Sequence, residues 1–410
     1  MEKIYKEKAV QLGKLMNTKS TFSVPLIKVI LECFEIAFAE TDIDRLLMVG
    51  EGEYTKEELR QLWGLGAADF EEYFNHIIVA GALWPRRMAG VYELAPIFPG
   101  WIEIYASGPE NETRRQLIKK FSEFENVLKM LNIPPVRAYM NHVNQSYVSS
   151  NPGRMSTIVT GALTDSGNAA SYKELAASDD KSSGNKVSGG PITIKVGSRI
   201  DAENAVMQAG DLYPMLLKHD GHISVMNCFC RMMKKLDGRS CNYDMPVEGC
   251  IAVGRMSDML VDNGVSRAIS YDEAVALMRS MEKKGCIHTV YHYGITSAED
   301  ELIICNCCTD CCFLYNSYRE GALSQLIIKA YYRPKLVDKN QCVGCNQCGR
   351  YCPTMATYYD KAKKKLIFDI DRCIGCGQCV TQCVRPVRIM VRDERNVFVK
   401  TLKKKGAENA

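Results

Sequence analysis

The chain is 410 residues long, 46% hydrophobic and 24% charged, with a net charge of +4 and 19 cysteines. That length accommodates roughly two to four domains with cores of their own, and the composition excludes a disordered or fibrous chain. The longest apolar stretch, 24–39, is broken by Lys28, Glu32 and Glu35 and excludes a bilayer span; with no secretory leader at the start, reduced cysteines in a cytoplasmic protein are expected, at metal or redox work.

Residues 1–40 predict two helices, with Ser20 and Ser23 as caps between them and Pro25 in the first turn of the second. Cys33 falls in that second apolar helix and reads as a core thiol. Residues 41–106 carry a capping box at Thr55 and Glu58, a turn at Gly64-Leu65-Gly66, a helix over 68–80 ended by Gly81, and a hairpin from Leu83-Trp84 back through Val91 to Leu94. Helix, turn, helix, hairpin is the order of a winged helix. DNA recognition is a poor fit, because the second helix carries Asp69, Glu71 and Glu72, leaving Arg86 and Arg87 on the wing to meet phosphate. A protein-docking or architectural module is expected.

Residues 107–163 read as a helical connector, with an amphipathic helix over 110–131 stopped by Pro134-Pro135. Residues 164–190 turn polar and glycine-rich, which predicts a linker and a domain boundary.

Residues 191–330 form a cysteine-rich α/β domain. A short strand is expected at 192–196, a helix over 205–217, an amphipathic helix capped by Ser270 and running to Lys284, and a strand carrying His288 and His292. Ten cysteines fall between 228 and 312, five of them in the eight residues Cys305–Cys312. Buried thiolates need a positive partner, so a metallocluster is the economical explanation, with a zinc site or thiol redox chemistry as alternatives. The best ligand candidates for one or two additional iron–sulfur clusters are Cys230, Cys241, Cys250, Cys305, Cys307, Cys308, Cys311 and Cys312. His219, His222, His288 and His292 are available to join a site, though a structural role fits each one alone.

Residues 331–400 contain two C-x2-C-x2-C-x3-C runs, Cys342–Cys352 and Cys373–Cys383. This spacing holds two 4Fe–4S cubanes, with the fourth cysteine of each run ligating the other cluster. The assignment is therefore Cys342, Cys345, Cys348 and Cys383 for one cluster, and Cys373, Cys376, Cys379 and Cys352 for its partner. Zinc knuckles would leave the third and fourth cysteine of each run idle. Residues 331–410 carry 17 Lys and Arg against 7 Asp and Glu, which offers a docking face to an acidic redox partner. Residues 401–410 form a basic tail.

The segment Pro96–Glu103 after the wing, the Cys228-Phe229-Cys230-Arg231 segment, Cys241, Cys250, the helix over 270–285 leading to Ile287-His288, the run Cys305–Cys312 and the C-terminal runs together resemble a family of iron–sulfur proteins from anaerobic bacteria and archaea. That family joins a winged-helix-like N-terminal region to a cysteine-rich segment and a bacterial-type two-cluster ferredoxin domain. Two positions depart from it: Asp310 interrupts the cysteine run, and Val384-Arg385 separates Cys383 from Pro386. The expectation is an α+β multidomain electron-transfer protein, a subunit of or donor to an anaerobic oxidoreductase. An oxidoreductase with its own substrate-binding cluster and a redox-responsive regulator are the alternatives.

Overall fold

The computed structural model describes residues 3–20, 24–85, 90–130, 156–160, 192–193, 199–200, 207–292, 302–319, 327, 329–330, 332–385 and 387–392. The expected linker at 164–190, the basic tail at 401–410, Ser23, Arg86, Arg87 and Pro134-Pro135 lie outside them. Among the described residues no helix is long and apolar enough to cross a membrane.

Three helices open the chain, Lys3–Thr18, Lys28–Ala37 and Glu40–Val49. Ser20 does not cap the second: its hydroxyl donates to the Met16 carbonyl (3.1 Å) and accepts the Ile97 amide (2.9 Å). That helix starts after Ile27 without a side-chain cap, and the burial of Ile30, Leu31, Cys33 and Phe34 holds it instead. Strand β1 (Tyr54–Thr55) leads into helix Lys56–Trp63, where the capping box forms: the Glu58 amide donates to Thr55 Oγ1 (3.2 Å) and the Thr55 amide to Glu58 Oε2 (2.7 Å). Helix Ala67–Val79 follows, then β2 (Leu83–Pro85) and β3 (Val91–Leu94), in a sheet of order β1-β3-β2. A π-turn at Ile97–Trp101, helix Ile102–Ser107 and helix Glu112–Met130 complete this part.

The middle part comprises β4 (Ser156–Thr160), a small antiparallel pair β5 (Ile192–Thr193) and β6 (Arg199–Ile200), β7 (Met207–Gln208), helix Ala209–Lys218, β8 (Ile223–Asn227), helix Phe229–Leu236, β9 (Glu248–Val253), helix Arg255–Asp262, β10 (Arg267–Ala268), helix Tyr271–Lys283, β11 (Ile287–His292), β12 (Leu302–Cys307) and helix Phe313–Arg319. Seven of these strands make one sheet of order β10-β8-β9-β12-β11-β4-β7, antiparallel except for β4 with β7. Strand β4 comes from the span read as a connector, and its alternating Ser-Thr-Ile-Val-Thr pairs with β11. One face of the sheet, with Val225, Ile251, Val253, Val290 and Ile304, packs on Leu212, Tyr213, Tyr271, Val275 and Met278 of two helices. The opposite face, with Met226, Cys250, Ala252, Ile303, Cys305 and Cys307, joins the N-terminal core through Phe229, Phe313 and Trp101.

In the C-terminal part, β13 (Tyr332–Leu336), helix Gln347–Arg350, β14 (Thr357–Asp360), β15 (Lys365–Phe368), helix Gln378–Thr381 and β16 (Arg388–Arg392) form two antiparallel pairs, β13 with β16 and β14 with β15. This module sits on the middle part. Gln378 Nε2 donates to the Cys286 carbonyl (2.6 Å), Gln382 Nε2 to the Lys283 carbonyl (2.9 Å), and Tyr243 Oη to the Arg350 carbonyl (3.1 Å). The Tyr243 and Tyr351 rings lie 5.0 Å apart.

Candidate metal centres

The N-terminal-facing side of the large sheet gathers thiols because strand side chains alternate. Cys305 and Cys307 are two apart on β12, and Cys305 lies directly opposite Cys250 on β9, with their sulfurs 3.9 Å apart. Cys228 and Cys230 flank the start of helix Phe229–Leu236, and Cys312 precedes helix Phe313–Arg319. The thiols close a ring: Cys228 interacts with Cys230 and Cys250, Cys250 with Cys305, Cys305 with Cys307, Cys307 with Cys312, and Cys312 with Cys230. Hydrogen bonds from Cys230 and Cys250 hold Cys228 well below the ordinary thiol value, while Cys230 is pushed well above it by Cys228, Cys312 and burial. Cys228 and Cys307 are thus held low by neighbouring thiols in a buried site, and a cation would compensate the negative charge of their thiolates. The ring borders a cavity of about 90 Å³.

A separate triad, Cys241, Cys308 and Cys311, has its sulfurs within 4.8 Å of one another. Hydrogen bonds with Cys241 and Cys311 hold Cys308 down at about 3, and the Cys311 amide donates to Cys308 Sγ (3.2 Å). Asp310, the residue that interrupts the cysteine run, fastens the loop bearing Cys241: it accepts the Asn242 amide (2.7 Å) and Asn242 Nδ2 (2.9 Å) and pairs with Lys234.

Arg231 stands between the two sets. Its Nη1 donates to the Pro246 carbonyl (2.9 Å) and its Nη2 to the Asn306 carbonyl and to Cys286 Sγ (3.4 Å). Charges on Cys228, Cys286, Cys308 and Cys250 raise the guanidinium against the opposing effect of burial. Its Nε is buried without an acceptor, and an anionic metal–sulfur group in the cavity would supply one, so the donor set and the orphaned N–H both fit such a group.

In the C-terminal module the crossed halves come together. Cys352 lies near Cys376 and Cys379, which also feel Cys373, and Cys383 lies near Cys348. Cys342, Cys345, Cys348 and Cys383 line one cleft with Val343, Asn346 and Arg388. Gly344 has φ +69°, and a Cβ there would meet the Tyr359 ring at 2.8 Å, so the first run curls only around glycine. Asn346 takes the matching left-handed turn that Gly377 takes in the second run. Arg388 is buried between the halves, acting on both Cys348 and Cys379, with Nη1 unpartnered.

Two further residues bear on the ring. Tyr315 is fully buried, with Thr289 Oγ1 3.3 Å from its hydroxyl, and burial together with the charges of Cys307, Cys312 and Cys376 raises its phenol well above the ordinary value. Glu103 lines the cavity together with Phe98, Gly100, Ile104 and Ser107. Its Oε2 accepts the Gly100 amide (2.7 Å), and burial pushes its carboxyl up to about 8. By area Glu103 is only partly buried, and it lines the cavity.

Of the eight middle-part candidates, Cys230, Cys250, Cys305, Cys307 and Cys312 fall in the ring and Cys241, Cys308 and Cys311 in the triad. Cys228 belongs to the ring as well; the C-x-C spacing with Cys230 was its only sequence signal. Cys286 stands apart, packed against Met245 and Arg231 and pushed up by burial. No described histidine belongs to the triad: His288 bonds Asn306 and His222 lies 2.9 Å from Asp258 at the surface, while the side chain of His292 lies outside the described residues.

Comparison with protein families matches residues 334–384 to the 4Fe-4S dicluster domain. Curated proteins and solved structures returned no match to the chain.

Proposed function

We propose that this chain is a multi-centre iron–sulfur electron-transfer protein, a subunit of or dedicated donor to an oxidoreductase of an anaerobic cytoplasm. Electrons pass between an outer cluster on Cys342, Cys345, Cys348 and Cys383, an inner cluster on Cys373, Cys376, Cys379 and Cys352, and a metal–sulfur group in the six-thiol ring. The triad of Cys241, Cys308 and Cys311 holds a further group. The observation that carries this reading is that Cys376 of the inner cluster packs against the same apolar core that holds Tyr315 and the ring cysteines Cys250, Cys307 and Cys312. Bound there, the clusters supply one-electron capacity, while the chain keeps water out and lends Arg231 and Arg388 as compensating charge.

The partner docks at the outer cluster, where Val343 (62% exposed) and Val384 (65%) stand beside exposed Cys345, Lys339 and Arg385. An acidic, partly apolar surface suits that face. The winged-helix-like sheet and helices of the N-terminal part serve as a wall of the ring rather than as a DNA reader, in keeping with the exposed Asp69, Glu71 and Glu72. A second reading, an enzyme with its own substrate-binding cluster, is favoured by one feature: the triad offers three thiols, and a cubane held by three leaves an iron open to a fourth ligand.

The test is iron and acid-labile sulfide per full-length chain, purified anaerobically, alongside C228S and C305S. The reading expects ~12 to 16 Fe, falling by ~4 in the variants while the C-terminal cluster signals persist. A content of ~8 Fe that the variants leave untouched would sink it.

A further inference from the structure

The six-thiol ring is walled on one side by the N-terminal part, and that wall carries a carboxyl group that electron transfer alone does not need. Gly100 and Glu103 belong to the turn-and-helix segment Ile97–Ser107, which packs over helix Phe229–Leu236. Gly100 has φ +159°, and a Cβ on it would meet Pro96 at 2.8 Å and the Trp84 ring at 3.0 Å, so the amide that holds Glu103 is set by close packing. One carboxyl oxygen takes that amide (2.7 Å), and among the described residues no side chain is bonded to the other. Glu103 thus lines the same cavity as the six ring cysteines.

We propose that Glu103 is the proton-carrying residue of the ring centre, so that each electron entering the ring is matched by one proton on this carboxylate. The inference rests on the reading that the ring holds a redox group. In the forward step a one-electron protein reductant delivers an electron through the C-terminal clusters. The ring group gains one negative charge, Glu103 takes one proton from solvent at the oxygen not bonded to Gly100, and the net charge of the chamber is unchanged. Oxidation releases both. Charge balance is the physical reason: a dry site pays heavily for a second uncompensated negative charge, and a carboxylate raised by burial is the group closest to accepting a proton.

Other ionisable groups face this one. Helix Phe229–Leu236 brings Arg231, with Cys228 and Cys230 at its start; β9 and β12 bring Cys250, Cys305 and Cys307; the loop beyond brings Cys308, Cys311 and Cys312. From helix Glu112–Met130 comes Arg114, bound to the Tyr105 and Pro109 carbonyls (2.8 and 2.7 Å). Lys235 reaches toward Glu110 (3.9 Å) instead. Only a variant at Glu103 separates its proton from theirs.

The experiment is a redox titration of the full-length, cluster-loaded protein between pH 6 and 10, reading each centre by electron paramagnetic resonance, with E103Q in parallel. The expected result is a ring-centre potential that is flat below about pH 8, where Glu103 already holds its proton, and falls above it toward the one-proton-per-electron limit of about 59 mV per unit, with C-terminal potentials that stay flat throughout and a ring-centre potential in E103Q that stays flat at unchanged iron content. A flat ring-centre potential in the native protein, or an undiminished slope in E103Q, overturns the proposal. Should E103Q lose its middle-part iron, redox-difference infrared spectra of the native protein decide: a protonated-carboxyl band appearing on reduction supports the proposal and its absence overturns it. Iron content keeps the two readings apart, since ~8 Fe defeats the ring centre itself, whereas ~12 or more Fe with a flat potential defeats only the role of Glu103.

Discussion

At the scale of single residues, charge is what the middle part has to manage. Arg231 serves both thiol sets with one guanidinium whose two terminal nitrogens go to separate carbonyls, a fork that lysine lacks. R231K keeps the charge but loses the fork, leaving a buried carbonyl without its donor; it is expected to cost about 1 to 3 kcal/mol of stability and to shed iron from the proposed ring and triad groups, which thermal melts and metal analysis check. Glu103 supplies a prediction of its own in the metal-free protein. Burial pushes its carboxyl from the ordinary 4.5 up to about 8, so the folded state binds more protons between those limits and stability falls as pH rises through that window. Relative to native protein, E103Q should therefore gain stability from pH 5 to 9 and level off beyond, in denaturant titrations at each pH. In the sequence Arg231 and Glu103 stand within segments that carry the family resemblance, but nothing there singles out either one as a carrier of charge or protons. Their roles come from β12, helix Phe229–Leu236 and the Ile97–Ser107 segment meeting across large sequence separations.

At the scale of elements, what was legible was local and periodic. The Thr55–Glu58 box, the Ser270 cap accepting the Glu273 amide (3.2 Å) and the repeated turns of the C-terminal runs formed as their chemistry dictates. Ser20 escaped, because its hydroxyl met the Ile97 amide 77 residues away. The division of the ten cysteines escaped too: alternation sorts Cys305 and Cys307 from Asn306, but which strand lies beside β12 is a matter of topology. The seam between the middle and C-terminal parts offers a sharp test. Gly285 has φ +101°, and a Cβ there would lie 2.3 Å from the Tyr351 ring. G285A should cost about 1 to 3 kcal/mol of local strain and loosen the C-terminal module, seen as faster proteolytic release with the 4Fe–4S signals retained.

At the scale of the whole molecule, exposed apolar side chains concentrate in the C-terminal part: Leu336, Val337, Val343, Met355, Tyr358, Phe368, Ile370, Val384 and Ile389, against Ile4 and Met48 elsewhere in the described residues. A module with so much of its apolar surface outside has little core and leans on its clusters. Anaerobic iron chelation is therefore expected to unfold it, and circular dichroism that stays native after chelation would refute this. The N-terminal part has the reverse character, a continuous aromatic core of Phe34, Phe38 and Trp101 that continues through Phe121 to Phe229 and Phe313 beside the ring. That continuity bears on how the protein is made. The segment that covers the ring is synthesised more than a hundred residues before the last ring cysteine, so the cover exists before the site does. For the proposed ring group, iron and sulfide must then arrive while the two parts are still apart, or the parts must separate again to admit them.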